Sequence, residues 1–451
     1  MQRLERLRSL WRLAASFAHS RWCLRFTDRA KLEAWQARQL RRFLRNTAPR
    51  AARLRAFAGQ PLDNWPGMDK AVLMEQFAAS NSQGIALPAA LAVAMEAERS
   101  RDFEPQLGEL TVGLSSGTSG HRGVFLVSRE ERERWAGTLL ARTLPSSLLR
   151  HLLPWQPPLR IAFFLRANSR LYTTLRSRRI DFAFHDLLQG LDAALASLEQ
   201  QQPQVLVAPA TVLRGLAEAQ LAGRLRIAPA HLVSVAEVLE EPDAARIEQA
   251  FGQRPAQIYQ ASEGFLGYSC EQGGLHLNET HLLVEPEWLD EAQSRFQPVI
   301  TDFSRTTQII LRYRLNDVLR LAPTACPCGR AERSLAAIEG RADEVFWLPA
   351  TDGSGLRPLY PDLLRRALAT AATELQEWRL RQLGMRWQLE LQAAERAAAE
   401  AALADALATF FQQQGVQPAT LQFADWQPDA LGAKRRRLLM QQAPEGSACT
   451  Y

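Results

Sequence analysis

The spacing of hydrophobic positions changes several times along the chain, and each change predicts a different kind of element. Residues 28–100 have mostly helical periodicity, interrupted by the turn-forming sequence PLDNWPG at 61–67. From residue 159 onward, short apolar runs alternate with helical patterns, which is typical of a layered α/β core. The predicted elements are strands at 159–166, 180–185, 205–208, 232–236 and 257–260, and helices at 191–200, after Thr211 and at 243–251.

The second half of the chain has a different pattern. Consecutive strands are predicted between Leu275 and Leu321, at 282–286, 299–302 and 309–313, and they indicate a β-rich subdomain. After Gly340 the order is strand, helix (362–372), strand (386–392) and a long Ala-rich helix (394–413). The predicted fold class is therefore α/β. We expect a large N-terminal domain over 1–342, mostly helical over 1–100, and a small mobile C-terminal α+β domain over 343–451.

Composition narrows the classes of protein that fit. A length of 451 residues exceeds what one core usually organises, and 47% hydrophobic with 23% charged residues is ordinary for a globular protein. The net charge of +6 is spread along the chain, so no nucleic-acid partner is expected. No run approaches the roughly 20 apolar residues that span a bilayer, so no transmembrane segment is expected.

The segment 1–55 carries Arg at helical spacing beside Leu, Trp and Phe. Such a segment could suit a membrane surface or an acidic partner. We favour the simpler interpretation, an amphipathic helical pair packed on the large domain, because that is the usual meaning of this periodicity.

The first segment with chemical interest is LTVGLSSGTSGHRGVFLVS at 110–128, a Gly- and hydroxyl-rich loop between two apolar strands. Glycines let a backbone approach phosphate closely, and hydroxyl groups add hydrogen-bond donors. The candidate phosphate-binding residues are Ser115, Ser116, Gly117, Thr118, Ser119 and Gly120. The Gly-Lys-Ser/Thr ending of a Walker A loop is absent, and such a loop on its own is more often an ordinary turn.

Four further segments follow in order: IYQASEG at 258–264, LRYRLNDV at 311–318, IEGRADE at 338–344 and LGAKRRR at 431–437. Taken singly, Glu263 would be a surface carboxylate, Asp317 a turn residue and the KRRR run a solvated basic tail. Only three of the 54 basic residues are lysines, which makes the presence of Lys434 in the last segment suggestive.

Together the five segments resemble the ordered motifs of the adenylate-forming (ANL) superfamily, and SSGTSG followed by GVF is similar to its phenylacetate-CoA ligase branch. The resemblance implies that Tyr259 lies against adenine, Glu263 holds Mg²⁺, Asp317 binds the ribose hydroxyls and Arg341 reaches the nucleotide. It also implies that Asp343 is a hinge between the domains. Thr118, Glu263 and Lys434 would be catalytic, with Lys434 bridging the substrate carboxylate and the α-phosphate.

Four residues at three places depart from the family pattern. His121-Arg122 stands where many relatives have a Pro-Lys pair, so Arg122 would supply any cation there. Gln260 replaces the commoner glycine, and Ser262 replaces the commoner threonine.

The resemblance implies ATP-dependent activation of a small carboxylic acid, aryl or other acyl, to acyl-AMP with pyrophosphate release. Transfer to coenzyme A is expected next. A carrier-protein thiol or an amine as the acceptor, and a non-catalytic nucleotide-binding protein, are the alternatives. A homodimer is compatible with the sequence.

Five cysteines are too few and too unevenly placed for a disulfide scaffold, which fits a reducing cytoplasm. Cys326 and Cys328 form a tight Cys-Pro-Cys turn, and Cys270 with His276 offers a second pair of ligands. Three thiolates with one imidazole form a known tetrahedral set for structural Zn²⁺, with His281 in reserve. The alternative is a pair of free thiols in a turn. The sequence CPCGR also recurs in the resembled branch.

Overall fold

The computed structural model describes residues 2–100, 106–114, 123–165, 174–371, 375–428 and 436–444. The chain divides into two compact units. The first contains residues 1–294, 298–315 and 321–336, and the second contains 295–297, 316–320 and 337–451. The predicted loop residues 115–122 and Lys434 lie outside the described residues.

The first unit opens with helices, as predicted. They are α1 (Gln2–Ala18), α2 (Arg29–Asn46), α3 (Lys70–Glu75) and α4 (Leu87–Ser100). A π-helical turn (His19–Cys23) follows α1, and 3-10 turns occur at Ala48–Arg50, Ala52–Phe57, Leu62–Asn64 and Ala78–Ser80. Asp28 and Asp69 cap α2 and α3 by accepting hydrogen bonds from the backbone N–H groups of Lys31 and Val72. These caps satisfy N–H groups that the first turn of a helix leaves without partners.

A small antiparallel sheet and the central layers come next. They comprise β1 (Gln106–Leu107), β2 (Leu110–Leu114), β3 (Val124–Val127), α5 (Arg129–Thr143), β4 (Leu159–Leu165), β5 (Ile180–Asp186), α6 (Asp192–Gln201), β6 (Val205–Ala208), α7 (Ala210–Leu221), β7 (His231–Val235), α8 (Glu241–Phe251), β8 (Ala256–Gln260) and β9 (Phe265–Ser269). Short 3-10 turns stand at Ser146–Leu152 and Leu187–Gln189. Strands β5, β4, β6, β7 and β8 are parallel in that spatial order, and β9 returns antiparallel to β8.

Both faces of this sheet are buried, because successive side chains of a strand point to opposite sides. Ile161 and Phe163 of β4 pack on the face that α5 covers. Ala162 and Phe164 pack on the other face, against α6 and α7. The predicted alternation of strands and helices is therefore confirmed for these layers.

The β-rich part contains β10 (Leu275–Leu277), β11 (Leu282–Trp288), β12 (Arg295–Asp302), β13 (Tyr313–Arg314), β14 (Asp317–Leu321) and β15 (Ser334–Arg341). β12 and β15 each pass from one unit into the other. The predicted strand over 309–313 is wrong, since only its last residue belongs to a strand. Ile309, Ile310 and Leu311 are all buried. The N–H of Ile309 donates to Ser80 O in the helical opening, and Arg312 has a positive φ of 45°, so the segment is irregular.

The second unit is an α+β structure. It contains a 3-10 turn (Ala342–Glu344), the hairpin β16 (Phe346–Pro349) and β17 (Leu356–Leu359), α9 (Pro361–Ala371), β18 (Leu375–Leu383), β19 (Arg386–Ala393), α10 (Arg396–Gln414), β20 (Thr420–Asp425) and β21 (Leu438–Gln442). Its four-stranded sheet has the order β20, β19, β18, β21. Trp378 and Trp387 of this sheet share a core with Leu403 and Phe411 of α10. Within the described part of the chain, no helix has the length and apolarity needed to cross a membrane.

Candidate active site and metal cluster

Tyr259 and Glu263 lie at the end of the parallel sheet. β8 pairs with β7 on one side and turns back into β9, and the N–H of Ala261 donates to Gly264 O at 3.0 Å to close the turn. Tyr259 is buried in β8, and Glu263 stands in the turn. Ser262 Oγ donates to Glu263 Oε2 at 2.9 Å. The carboxylate is thus placed at the carboxyl end of a parallel strand, where ligands of α/β proteins bind.

Asp302 lies directly beneath this turn. A Cβ on Gly264 would stand 2.5 Å from Asp302 Oδ2, so no other residue fits at position 264 without movement. Asp302 accepts hydrogen bonds from Ser304 N at 2.8 Å and Ser304 Oγ at 2.6 Å. Burial raises the pKa of Asp302 to about 6 from its ordinary value of 3.8. A second, buried carboxyl group therefore lies against the Glu263 turn.

Glu263 lines a small cleft in the first unit that is open to solvent, which we call the Glu263 cleft. Its polar lining includes Lys70, Ser262, Gln308 and Tyr313, together with Glu263 itself. The start of β3, at Gly123 to Phe125, forms another wall. Since Gly123 follows residue 122 directly, the cleft contains both the predicted metal-binding carboxylate and the residue at which the hydroxyl-rich loop ends.

Lys70 was not predicted as a site residue. It is the first residue of α3, immediately after the capping residue Asp69. One signal in the sequence could have identified it, since the chain contains only three lysines. Of the predicted phosphate-binding set, Ser115, Ser116, Gly117, Thr118, Ser119 and Gly120 lie outside the described residues, as does Lys434.

The second unit gathers the residues around the predicted hinge. Asn316 Nδ2 donates to Asp343 Oδ1 at 3.0 Å, and Arg436 Nη2 donates to Asp343 Oδ2 at 3.2 Å. Arg341 Nε stands 3.5 Å from Asp343 Oδ1. Asp317 follows Asn316 as the first residue of β14. Asn316, Arg341 and Arg436, which come from sequence-distant motifs, thus meet at Asp343.

The predicted metal ligands converge in the first unit. The ligand atoms of Cys270, His276, Cys326 and Cys328, which we call the Cys/His cluster, all lie within 4.8 Å of one another. Cys270 Sγ stands 3.6 Å from Cys326 Sγ, and Cys328 Sγ stands 3.3 Å from His276 Nε2. The set fits the donors and compactness of a tetrahedral Zn²⁺ site.

The orientation of His276 also suits a metal ligand. Its Nδ1 is 3.0 Å from the carbonyl oxygen of Glu332, so the proton belongs on Nδ1 and Nε2 faces the thiols. Burial lowers the pKa of His276, which favours the neutral imidazole that a metal requires. His281, the reserve ligand, is not part of this group. Its nitrogens instead face hydroxyl and amide oxygens, among them Ser20 Oγ and Thr280 Oγ1.

The two units carry the fold of adenylate-forming ligases, which confirms the predicted fold class. A 2-hydroxyisobutyryl-CoA ligase solved in the postadenylation state with 2-HIB-AMP matches with a TM-score of 0.64 at 18% identity, over 92% of this chain and 90% of that chain. GH3.15 acyl acid amido synthetase matches with a TM-score of 0.58 at 13% identity, over 92% and 96% of the two chains.

A third similar structure comes from studies of fatty acyl-adenylate ligases from E. coli and L. pneumophila. It has a TM-score of 0.51 and 11% identity over 72% of this chain and 68% of that chain. No family sequence model and no curated protein sequence matches the chain. At these identities the similarity establishes the fold, and membership of the phenylacetate-CoA ligase branch stays a prediction.

Proposed function

We propose that the protein activates a carboxylic acid with ATP to form an acyl-adenylate and pyrophosphate, and then transfers the acyl group to coenzyme A. The observation that carries this proposal is the Glu263 cleft, in which Glu263 and Gly123, the residue ending the hydroxyl-rich loop, line one space. The fold shared with the CoA ligase bound to 2-HIB-AMP supports it.

In the first half-reaction a carboxylate oxygen of the substrate attacks the α-phosphorus in line. The new P–O bond forms as the bond to the β-phosphate oxygen breaks, and the electron pair leaves with pyrophosphate. Residues 115–120 would donate hydrogen bonds to the polyphosphate. Glu263 would hold Mg²⁺, which offsets the negative charge that repels an attacking carboxylate. Lys434 would carry positive charge to the attacked phosphate.

The remaining predicted residues would hold the nucleoside. Tyr259 would lie against adenine, and Asp317 would accept hydrogen bonds from the ribose hydroxyls. Arg341 would reach the nucleotide from the segment that ends at the hinge. Lys434 would come from the segment that continues to Arg436, and Arg436 contacts Asp343. A backbone change at Asp343 would therefore move both the segment of Arg341 and the segment of Lys434. This connection supports a hinge at Asp343.

In the second half-reaction the sulfur of coenzyme A attacks the acyl carbonyl carbon, and AMP leaves with the electron pair of the broken C–O bond. An amine acceptor is the alternative that the fold similarity to an acyl acid amido synthetase favours. A carrier-protein thiol is a further acceptor. Transfer to coenzyme A, to an amine or to a carrier-protein thiol gives different products, but all three reactions share the first half-reaction.

The Cys/His cluster would hold a structural Zn²⁺. The support is the convergence of three thiols and one imidazole, with the second imidazole nitrogen bonded to a backbone carbonyl. A tetrahedral site with four protein ligands leaves no open position, so the metal would stabilise the fold and take no part in catalysis.

The test is acid-dependent exchange of labelled pyrophosphate into ATP, screened over aryl and aliphatic acids. We expect exchange with at least one acid and its loss in Lys434→Ala, while the matched variant Lys31→Ala, which removes an exposed lysine of α2, keeps it. Product analysis with coenzyme A or amines then identifies the acceptor. Nucleotide binding without exchange for any acid would contradict the proposal and support a non-catalytic nucleotide-binding protein.

A further inference from the structure

Helix α1 has one face fixed to the protein and one face open. On the fixed side, Ser9 Oγ and Arg12 Nη1 donate to the carboxylate of Glu133 in α5 at 2.5 and 2.8 Å. The helices cross so closely that a Cβ on Gly137 would stand 2.3 Å from Leu13 O. The predicted packing on the large domain is therefore confirmed for α1. It leaves the opposite face of this helix exposed.

The open face is strongly apolar. Leu4, Leu7 and Leu10 are 56 to 58% exposed, Trp11 is 72% exposed, and Trp22 in the following π-helical turn is 65% exposed. Leu4, Leu7 and Trp11 are three and four residues apart, so they lie on the same side of the helix. These five side chains, within 19 residues, are nearly half of the eleven large apolar side chains that are exposed among the described residues. We call them the α1 apolar face.

Arginines are frequent in the stretch of sequence that carries this face. Between residues 2 and 27 the sequence has six arginines, at positions 3, 6, 8, 12, 21 and 25, and one acidic residue, Glu5. Arg8 and Arg25 are exposed. Glu5 lies 3.4 Å from the guanidinium of Arg129 in α5, which offsets its charge. Arg12 and Arg21 are engaged on the fixed side, where they donate to Glu133 and to backbone carbonyls of the α5 segment. Exposed positive charge near the apolar row therefore comes from Arg8 and Arg25.

We propose that the α1 apolar face docks on an anionic lipid surface. Leucine and tryptophan side chains of an in-plane helix enter the boundary between headgroups and acyl chains, while arginines bind the anionic headgroups. An acidic protein would need cations at the centre of the contact, but the centre here is apolar. A second copy of this chain would bring two arginine-rich segments together, and their repulsion disfavours that contact.

The test is cosedimentation of the full-length protein with vesicles of phosphatidylcholine alone and of phosphatidylcholine mixed with phosphatidylglycerol. We expect binding to the anionic vesicles, at least tenfold weaker binding to the neutral ones, and release at high salt. The double variant Leu7→Glu/Trp11→Glu should lose at least tenfold in binding to the anionic vesicles. The matched variant Trp155→Glu, at a site 74% exposed outside this face, should bind like the wild type.

Thermal unfolding of the double variant checks its folding, and we expect no change because both side chains are exposed. The proposal is overturned if the wild type binds neither kind of vesicle, if it binds both equally, or if the folded double variant binds like the wild type. A wild-type dimer that the double variant converts to a monomer, without vesicle binding, would show instead that a second copy covers the face.

Discussion

The Cys/His cluster and the Glu263 cleft lie in the same compact unit but differ in what their polar groups contact. The cluster brings four ligand atoms within 4.8 Å of one another, and a backbone carbonyl fixes His276. The cleft is open to solvent, and Glu263 and Lys70 are both among its lining residues. The ligand atoms of the first arrangement contact one another, while the polar groups of the second line a space open to solvent. Substitutions in the cluster should therefore change stability, and substitutions in the cleft should change catalysis.

Loss of a cluster ligand should have the largest effect. For Cys326→Ser we expect the free energy of unfolding to fall by about 3–5 kcal/mol, since weaker zinc binding removes binding energy from the folded state. Denaturant unfolding measures the loss, and mass spectrometry of the native protein measures bound zinc. The matched control is Cys23→Ser, which removes an exposed thiol elsewhere. Equal stability and equal metal content in wild type and Cys326→Ser would refute a zinc site.

Loss of the cleft carboxylate should give the reverse pattern. For Glu263→Gln we expect pyrophosphate exchange to fall about 100-fold, since a neutral amide is a poor ligand for Mg²⁺. The melting temperature should stay within about 2 °C, because Glu263 stands in a turn beside open space. Glu291→Gln, which changes an exposed glutamate, is the control. A variant that loses stability but keeps its exchange rate would show that Glu263 is structural.

The buried Asp302 carboxyl group, which lies against the Glu263 turn, can be probed through the pH dependence of stability. Because burial raises the pKa of Asp302 from 3.8 to about 6, the folded state binds a proton that the unfolded state has released between these values. Stability contributed by this proton is present at low pH and lost as pH rises through about 6. Relative to Asp302→Asn, the wild type should lose on the order of 2 kcal/mol between pH 4 and 6.5.

Urea unfolding of both proteins at several pH values measures this difference directly. The asparagine can still accept the hydrogen bonds from Ser304, so the variant isolates the titration from the geometry. Parallel stability curves across this range would show that Asp302 does not titrate there.

The contrast between the two regions also explains what the sequence could predict. Strand β6 lies at Val205–Ala208, as predicted, because a short apolar run between polar turns has few other structures available. The strand predicted over 309–313 failed because three consecutive buried residues meet the helical opening, a contact between residues that are far apart in sequence. Apolar runs of this length do not distinguish a strand from a buried irregular segment.

The same difference between local patterns and contacts of sequence-distant residues applies to the site residues. Cys326 and Cys328 could be paired with Cys270 and His276 from the sequence because few residue types bind zinc through sulfur and imidazole nitrogen. The rarity of lysine singles out Lys70 in the sequence but does not assign it to a site, because a lysine after a helix cap is usually a surface residue. Only the fold, which brings α3 to the wall of the Glu263 cleft, makes this lysine a candidate for polyphosphate binding.

The smallest expected effect belongs to Lys70, and it tests whether this lysine contributes to ATP binding in the Glu263 cleft. The loop has His121-Arg122 where many relatives carry a lysine, so the ammonium of Lys70 would supply charge from another wall. For Lys70→Gln we expect the KM for ATP to rise about tenfold, equivalent to about 1.4 kcal/mol, with kcat within about threefold of wild type. Lys70→Arg should recover part of the loss, since it keeps the charge.

The matched control for this prediction is Lys31→Gln, because it removes the same charge from an exposed position on α2. If both variants raise KM equally, the cause is the net charge of the protein, and the cleft has no part in it. If only Lys70→Gln raises KM and added salt leaves the difference between the two variants in place, the interaction is short-ranged, as expected for a group beside the bound polyphosphate.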